Sequence, residues 1–418
     1  MNYSEKKHIT VLGGGIVGIC CALKILRSGC SVVLLDRAAP GEGCSRGNAG
    51  VLATGSFVPN SLPGVYKSLP RMLLDPLGPV SMRWRDFPIF IPWFKEFLSK
   101  AKMSEAHKIS QALATLTLNA YDDHLQIAQG TNAEKYLEQR MFLSVYEGCS
   151  AFKKDELAWE LKRIYGAKVV EYFGSEIFEI EPELSPRFSH MRGVAGAGVC
   201  RDPEAYVKAL WRTFEREGGT YKKCFVKDID FDASGPRRLI FDGGEMNISN
   251  LVIAMGANSA YFAKLLGCYV PLISERGYHV MLPTPNVKLT NPVLIERGKF
   301  VMTSMEGGMR LAGTSEFAKS DAPANWNRAK AILKLGQHAL PNLNSSNSEE
   351  WMGERPSLPD SLPVIGQSPV YQNVFFAFGH QHVGLTSAPK TGEIIADLIL
   401  GRIPNRDLSS FRADRFKL

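Results

Sequence analysis

The stretch Gly13-Gly14-Gly15-Ile16-Val17-Gly18 constrains this chain most, because it joins one apolar run, Ile9 to Leu12, to a second, Ile19 to Leu26. Read as Gly13-x-Gly15-x-x-Gly18, it has the spacing at which a strand turns tightly into a helix and turns bare backbone amides toward a pyrophosphate. Gly13 permits the turn, Gly15 leaves room for phosphate, and Gly18 lets helix and strand pack closely. A further apolar strand, Ser31 to Leu35, ends in Asp36, about 20 residues on, where an acid accepts hydrogen bonds from a ribose 2′-OH. The unit reads strand, turn, helix, strand, acid, and the acid favours NAD or FAD over NADP. The structural alternative is a βαβ unit whose turn binds nothing.

A chain of 418 residues, 45% hydrophobic, is large enough for two cores, and no polar low-complexity tract interrupts it. Its net charge of +7 comes from scattered Lys and Arg, which does not indicate nucleic-acid binding; it suits an anionic substrate, an acidic membrane surface or simply a solvated exterior. The eight cysteines form no C-x-x-C pair and no His cluster accompanies them, so no metal site is expected. Several lie in apolar surroundings that suit a reduced, buried thiol, so a reducing compartment is expected. Lys6 and Lys7 run straight into the first strand without the apolar stretch of a secretory signal, and no apolar run is long enough to span a bilayer. A cytoplasmic protein is expected, with peripheral contact at the inner face of the plasma membrane as the alternative.

After Asp36 the loop Pro40 to Gly50 is dense in glycine and small residues, suited to lying against a flat ligand, and leads into Val51-Leu52. From about Pro59 to Leu98 the composition shifts, and Trp84, Phe87, Phe90, Trp93, Phe94 and Phe97 approach helical spacing. These rings either pack a cap against the cofactor domain, the favoured reading, or face a membrane. Helical patterns follow at Ile109 to Gln129 and Lys154 to Tyr165, then Glu204 to Glu217 after Asp202-Pro203. A β-rich segment follows Thr220, and Leu251 to Ala254 is another apolar strand ending in Met255-Gly256. Arg276 to Leu282, Lys299 to Ser304 and Met309 to Gly313 read as strands of a second, antiparallel domain, with Asn327 to Leu340 as a covering helix. The segment Trp351 to Asp360 precedes the strand Val374 to Ala377. The turn Gly379-His380-Gln381-His382-Val383-Gly384-Leu385-Thr386 then leads to a helix from Pro389 to Leu400.

Taken in order, these pieces resemble the FAD-dependent D-amino acid oxidoreductases, the family of glycine oxidase, D-amino acid oxidase and bacterial D-amino acid dehydrogenases. The resemblance spans nearly the whole chain. It rests on the N-terminal glycines with Asp36-Arg37, on Ser45 to Gly50, Ala254-Met255-Gly256, Arg276-Gly277-Tyr278, Arg355-Pro356 with Pro359-Asp360, and on Gly379-His380 through Gly384 to Gly392. It implies an α/β fold in which a Rossmann-type FAD-binding domain carries an antiparallel-sheet substrate domain and a helical cap. The FAD-binding domain is expected to be discontinuous, from residues 1–60, 166–260 and 346–418, and the substrate and cap domain to comprise 61–165 and 261–345.

For the site, the resemblance implies that Gly13, Gly15 and Gly18, with Ile16 and Val17 between them, approach the FAD pyrophosphate, Asp36 the adenosine ribose and Arg37 the adenine side. Ser45, Asn48, Ala49, Gly50, Val51 and Leu52 would run along the ribityl chain and isoalloxazine. Val226 matches a backbone contact to adenine. Ala254, Gly256, Gly379, Val383, Gly384, Leu385 and Thr386 would complete the cofactor walls. Arg355, in Trp-x-Gly-x-Arg-Pro, stands where the family holds the substrate carboxylate, and an arginine fork suits that task because it makes two parallel hydrogen bonds. The structural alternative for Arg355 is a salt bridge to Glu354 or Asp360. His382 is a candidate for lining the substrate pocket, or for satisfying local carbonyls, and Tyr278 for walling it or binding the carboxylate, although the face of its strand is undecided.

The expected activity is FAD-dependent oxidation of a small D-amino acid, D-alanine-like or D-proline/hydroxyproline-like, at the carbon bearing nitrogen, with hydride passing to flavin N5. A dehydrogenase or an oxidase fits equally, since the acceptor (quinone, carrier protein or oxygen) leaves no mark in the sequence. An electron-transfer flavoprotein subunit of a larger amine or amino-acid dehydrogenase is the alternative. A nicotinamide-dependent reductase is less well supported, because only one Gly-x-Gly-x-x-Gly unit is present.

Overall fold

The computed structural model describes residues 6–416, apart from the Ser68 side chain. Its first strand, His8–Leu12, lies between Ser31–Asp36 and Asn250–Ile253, all parallel, with Leu12 opposite both Leu35 and Ile253. Val374–Phe378 and Val364–Gln367 extend this sheet on one side and Thr220–Lys223 on the other, six strands in all. Parallel strands are apolar on both faces because helices cover both. Here Ile16–Arg27 and Gly384–Ile399 cross so closely that a Cβ on Gly392 would lie 2.6 Å from the Cys20 carbonyl oxygen. The register brings Leu12, Asp36 and Ala254 to one edge, the carboxyl ends of the strands, where open α/β sheets bind ligands.

A second sheet of ten strands runs Glu349–Ser357, Ile273–Leu282, Gly308–Phe317, Phe300–Met305, Val293–Ile295, Leu137–Tyr146, His190–Cys200, Val51–Leu52, with Val80–Met82 and Lys168–Phe173 attached at its flank. It is mainly antiparallel, but Val293–Ile295 joins Leu137–Tyr146, and Val80–Met82 joins Gly308–Phe317, in parallel. Helix Asn327–Ala339 covers one face through Ile332 and Leu335 against Leu311 and Phe300. The architecture is thus α/β, a Rossmann-type sheet beside a second, mostly antiparallel one.

Several elements differ from expectation. Glu349–Ser357, where the sequence suggested no element, is a strand of the large sheet, because its backbone pairs with Ile273–Leu282 from Ser357 opposite Ile273 to Glu349 opposite Met281. The pattern from Ile109 to Gln129 divides into Met103–Thr117 and Ala120–Ala128. The last helix begins a turn earlier than expected, at Gly384, with Pro389 inside it. Proline has no N–H, so the Leu385 carbonyl lacks its helical donor. Buried His124 supplies one from Nε2 at 2.7 Å, while its Nδ1 meets the Tyr206 hydroxyl at 2.7 Å. Burial lowers His124 to about 4, so the ring is neutral and can donate at one nitrogen and accept at the other.

The aromatic segment forms helix Phe87–Ser99, in which Phe90, Trp93 and Phe97 pack against Met82 and Phe317 of the large sheet, not against the six-stranded one. Trp84, Ile89 and Ile91 stay exposed. No helix among the described residues is long and apolar enough to cross a membrane. All eight cysteines are free, and only Cys44 and Cys149 are exposed.

Candidate active site

One cavity of about 2250 Å³ runs along the carboxyl edge of the six-stranded sheet and under the large sheet. The glycine turn opens onto it. Gly13 has φ of +112°, and a Cβ there would stand 2.2 Å from the Ala254 carbonyl oxygen, so no other residue makes this turn. A Cβ on Gly18 would fall 1.8 Å from the Gly13 carbonyl oxygen, whereas on Gly15 the nearest atom would be Ser45 Oγ at 3.5 Å. Gly15 is therefore spared for space, not for packing.

The turn is held from two sides. Ile16 N–H donates to Ser45 Oγ at 3.0 Å, and Gly14 N–H and Ala38 N–H donate to the two oxygens of Asp36 at 2.5 and 3.0 Å. The amides of Gly15 and Val17 have no partner among the described residues, which leaves them free at the helix start for an anionic group. Asp36 still has acceptor capacity, since a carboxylate offers about four lone-pair directions.

Along the wall follow Arg37, Asn48, Ala49, Val51, Val226, Ala254, Gly256, Gly379, Gly384 and Leu385. Five residues expected on the wall stand behind it. Gly18 packs beneath Gly13, and Leu52 and Val383 are core residues. Gly50, at φ of +73°, accepts from Cys200 N–H at 2.6 Å. Thr386 Oγ1 accepts from Ala53 N–H and donates to the Val51 carbonyl, tying the last helix to the strand after the glycine-rich loop. Gly47, within that loop, faces protein: a Cβ there would meet the Trp351 ring at 1.9 Å, and Trp351 stacks on His279 with centroids 4.9 Å apart.

At the other end of the cavity lies Arg355. Its guanidinium covers Gly277, where a Cβ would come within 2.3 Å of Nη2. Nη1 donates to Glu275 Oε1 at 3.0 Å and to the Thr314 carbonyl at 2.7 Å, and Nη2 approaches the Gly313 carbonyl at 3.4 Å. The ion pair is with Glu275, not with Glu354 or Asp360; Asp360 is taken by Arg415 at 2.7 Å. Ser315 and Ser357 hydroxyls donate to Glu275 at 2.6 and 2.7 Å. Burial acts to raise the Glu275 carboxyl, but Arg355, the two hydroxyls and His382 outweigh it and hold it below the usual range. Thr314, at φ of +56°, whose carbonyl accepts from Arg355, and Gln381, at +49°, which donates to the Leu358 carbonyl, are strained residues of the cavity wall.

His382 opens into the cavity, and enclosure by the surrounding protein lowers its imidazolium, with Glu275 opposing and Arg355 reinforcing. His380 turns inward to Thr391 Oγ1 at 3.0 Å. Tyr278, whose face the sequence left open, borders the cavity, but the strand alternates, and with Glu275 and Gly277 on the Arg355 face its side chain is directed to the opposite one. Its hydroxyl donates to Glu316 at 2.5 Å and accepts from Asn325 N–H at 2.8 Å.

Sequence reasoning passed over Glu275, Ser315 and Ser357, although a charge within the strand pattern Ser274-Glu275-Arg276 was a signal. It also passed over a second polar group at the ends of the strands Val293–Ile295 and Leu137–Tyr146, four and five strands along the same sheet from the Arg355 strand. There Tyr146 donates to Asp155 at 3.1 Å, Lys299 pairs with Glu296, and the Lys162 ammonium rests 3.8 Å over the Trp159 ring.

A Gly-rich turn with free amides, an acid at the next strand end, and a long cavity closed by an arginine define a dinucleotide-binding oxidoreductase site. The chain belongs to the FAD dependent oxidoreductase family, whose profile matches residues 8–398. It is 33% identical over 419 residues to a D-amino-acid oxidase of Bradyrhizobium diazoefficiens, covering 99% of each chain. It is 26% identical to D-amino acid dehydrogenase 2 of Mesorhizobium japonicum, covering 96% of this chain and 98% of that one. Among solved structures, glycine oxidase from Geobacillus kaustophilus superposes with a TM-score of 0.73 at 21% identity, over 98% of this chain and 100% of the other. The cofactor is FAD, and the open space at Gly15, the two free amides and the elongated cavity fit it.

Proposed function

We propose that the chain oxidises a small D-amino acid, D-alanine-like or D-proline/hydroxyproline-like, at the carbon bearing nitrogen. The product is an imine, which water hydrolyses to the 2-oxo acid with release of ammonia, or, for a cyclic substrate, with ring opening that keeps the nitrogen on the chain. FAD, when bound, supplies the two-electron acceptor. Gly15 and Val17 amides hold its pyrophosphate and Asp36 its ribose. The observation that carries the reading is Arg355 in the same cavity as the glycine turn, with the edge of its guanidinium open to that cavity. Arg355 fixes the substrate carboxylate, His382 borders the space left for the side chain, and the strands over the cavity exclude water. Orientation and desolvation carry the rate, and no side chain here is assigned as a general base.

Anaerobic addition of D- and L-amino acids, prolines and glycine to the yellow holoprotein tests this. Bleaching by D-amino acids and not by NADH is expected. A flavin that no amino acid bleaches marks an electron-transfer subunit instead. Admitting air afterwards separates oxygen from a quinone or carrier protein as acceptor.

His382→Ala is expected to change the order of preference among these amino acids several-fold while flavin content stays the same. An unchanged order places His382 outside the substrate space.

A further inference from the structure

We infer that Glu275 is a specificity-determining residue: it receives the ammonium of the substrate while Arg355 receives the carboxylate, so that the ion pair selects zwitterions over simple carboxylic acids. The inference rests on the proposed amino-acid oxidation and names a second contact for that substrate.

The two charges lie side by side, opposite one another in the strand register and 3.0 Å apart. Both line the cavity and neither is sealed, with side chains 26% exposed for Arg355 and 12% for Glu275. Of the five guanidinium N–H groups, Nη1 spends both on Glu275 and the Thr314 carbonyl, and Nη2 makes one long contact with Gly313. The Nε edge has no partner among the described residues, and Nε with Nη2 is a fork that takes a carboxylate by two parallel bonds. Glu275 accepts from Arg355, Ser315 and Ser357, three donors, which leaves about one of its four lone-pair directions open.

A guanidinium already neutralised by a neighbouring carboxylate attracts a lone anion less than a free one does. A zwitterion meets complementary charge at both ends. Structural pairing alone would need neither partner to face the cavity.

The test compares two ligands on FAD-loaded enzyme: D-alanine, read as half-saturation of anaerobic flavin reduction, and propionate, read as perturbation of the flavin spectrum. Glu275→Gln is expected to weaken D-alanine by about 10- to 100-fold, as for loss of one hydrogen bond to a charged group. Propionate is expected to bind as tightly or more tightly, because Arg355 is released. Equal weakening of both ligands means that Glu275 only holds Arg355 in place, and no change in either means that it holds nothing; each overturns the inference. If Glu275→Gln does not load FAD, Glu275→Asp gives the same comparison, keeping the charge but withdrawing it by one methylene. A wild-type flavin that no amino acid reduces removes the oxidation reading, and the inference with it. Wild-type reduction with propionate binding untouched by Arg355→Ala removes the arginine clamp specifically.

Discussion

Arg355→Lys is expected to raise the Michaelis constant for the amino acid by roughly 10²–10³-fold, about 3–4 kcal/mol, with FAD still bound. Lysine keeps the positive charge beside Glu275 but loses the planar edge that takes a carboxylate in two bonds. Arg355→Ala loses the charge as well. It leaves Glu275, with only 12% of its side chain exposed, without its ion-pair partner, so the melting temperature falls too. The lysine variant therefore isolates recognition, and the alanine variant combines recognition with stability. Steady-state kinetics beside the flavin-to-protein absorbance ratio measures both. A Michaelis constant unchanged in both variants, at full flavin content, would sink the assignment of Arg355 to the substrate.

Gly18→Ala and Gly15→Ala are expected to fail in different ways. The methyl at position 18 is directed at the Gly13 carbonyl oxygen, 1.8 Å away, and neither backbone can yield without opening the turn. A loss on the order of 3 kcal/mol follows in the apoprotein itself, and FAD is not retained. The methyl at position 15 meets nothing nearer than Ser45 Oγ at 3.5 Å. That apoprotein should melt within a few degrees of wild type, yet bind FAD at least tenfold more weakly, because the methyl stands where the phosphate has to come. Melting curves of the apoproteins and FAD titration by fluorescence quenching separate the two. Equal melting losses would show that position 15 also serves packing.

The comparison of these glycines with Tyr278, Glu275 and His124 shows what is readable from sequence. Gly13, Gly18 and Asp36 act within one βαβ unit, through a positive φ, a missing Cβ and a hydrogen bond to Gly14 22 residues back, so their spacing states their purpose. Arg355 was legible as a candidate because its local pattern is distinctive. Its partner was not. Glu354 and Asp360 are nearer along the chain, whereas Glu275 lies 80 residues away and reaches Arg355 only through strand pairing. Tyr278 stayed open for a related reason: alternation in a strand makes one of two faces certain, but which face meets the cavity depends on the sheet it joins. Pro389 misled in the same manner. A proline inside a helix is disfavoured unless the carbonyl it leaves free finds another donor, and His124, 261 residues from Leu385, is that donor.

By itself, then, the sequence determined the βαβ turn, the acid at its second strand and the α/β class, because each rests on local geometry, and it narrowed the cofactor to NAD or FAD; FAD itself came through the resemblance to a family, carried by residues whose order along the chain is distinctive. The tertiary structure alone decided that the strand carrying Arg355 belongs to the large sheet and that Glu275, Ser315 and Ser357 gather around it. It also decided that the Tyr278 hydroxyl goes to Glu316 on the face opposite Arg355 and that Gly18, Gly50 and Thr386 brace the cavity from behind. Those are outcomes of register between distant strands and of which face a sheet turns to its cover, and neither leaves a local mark on the chain.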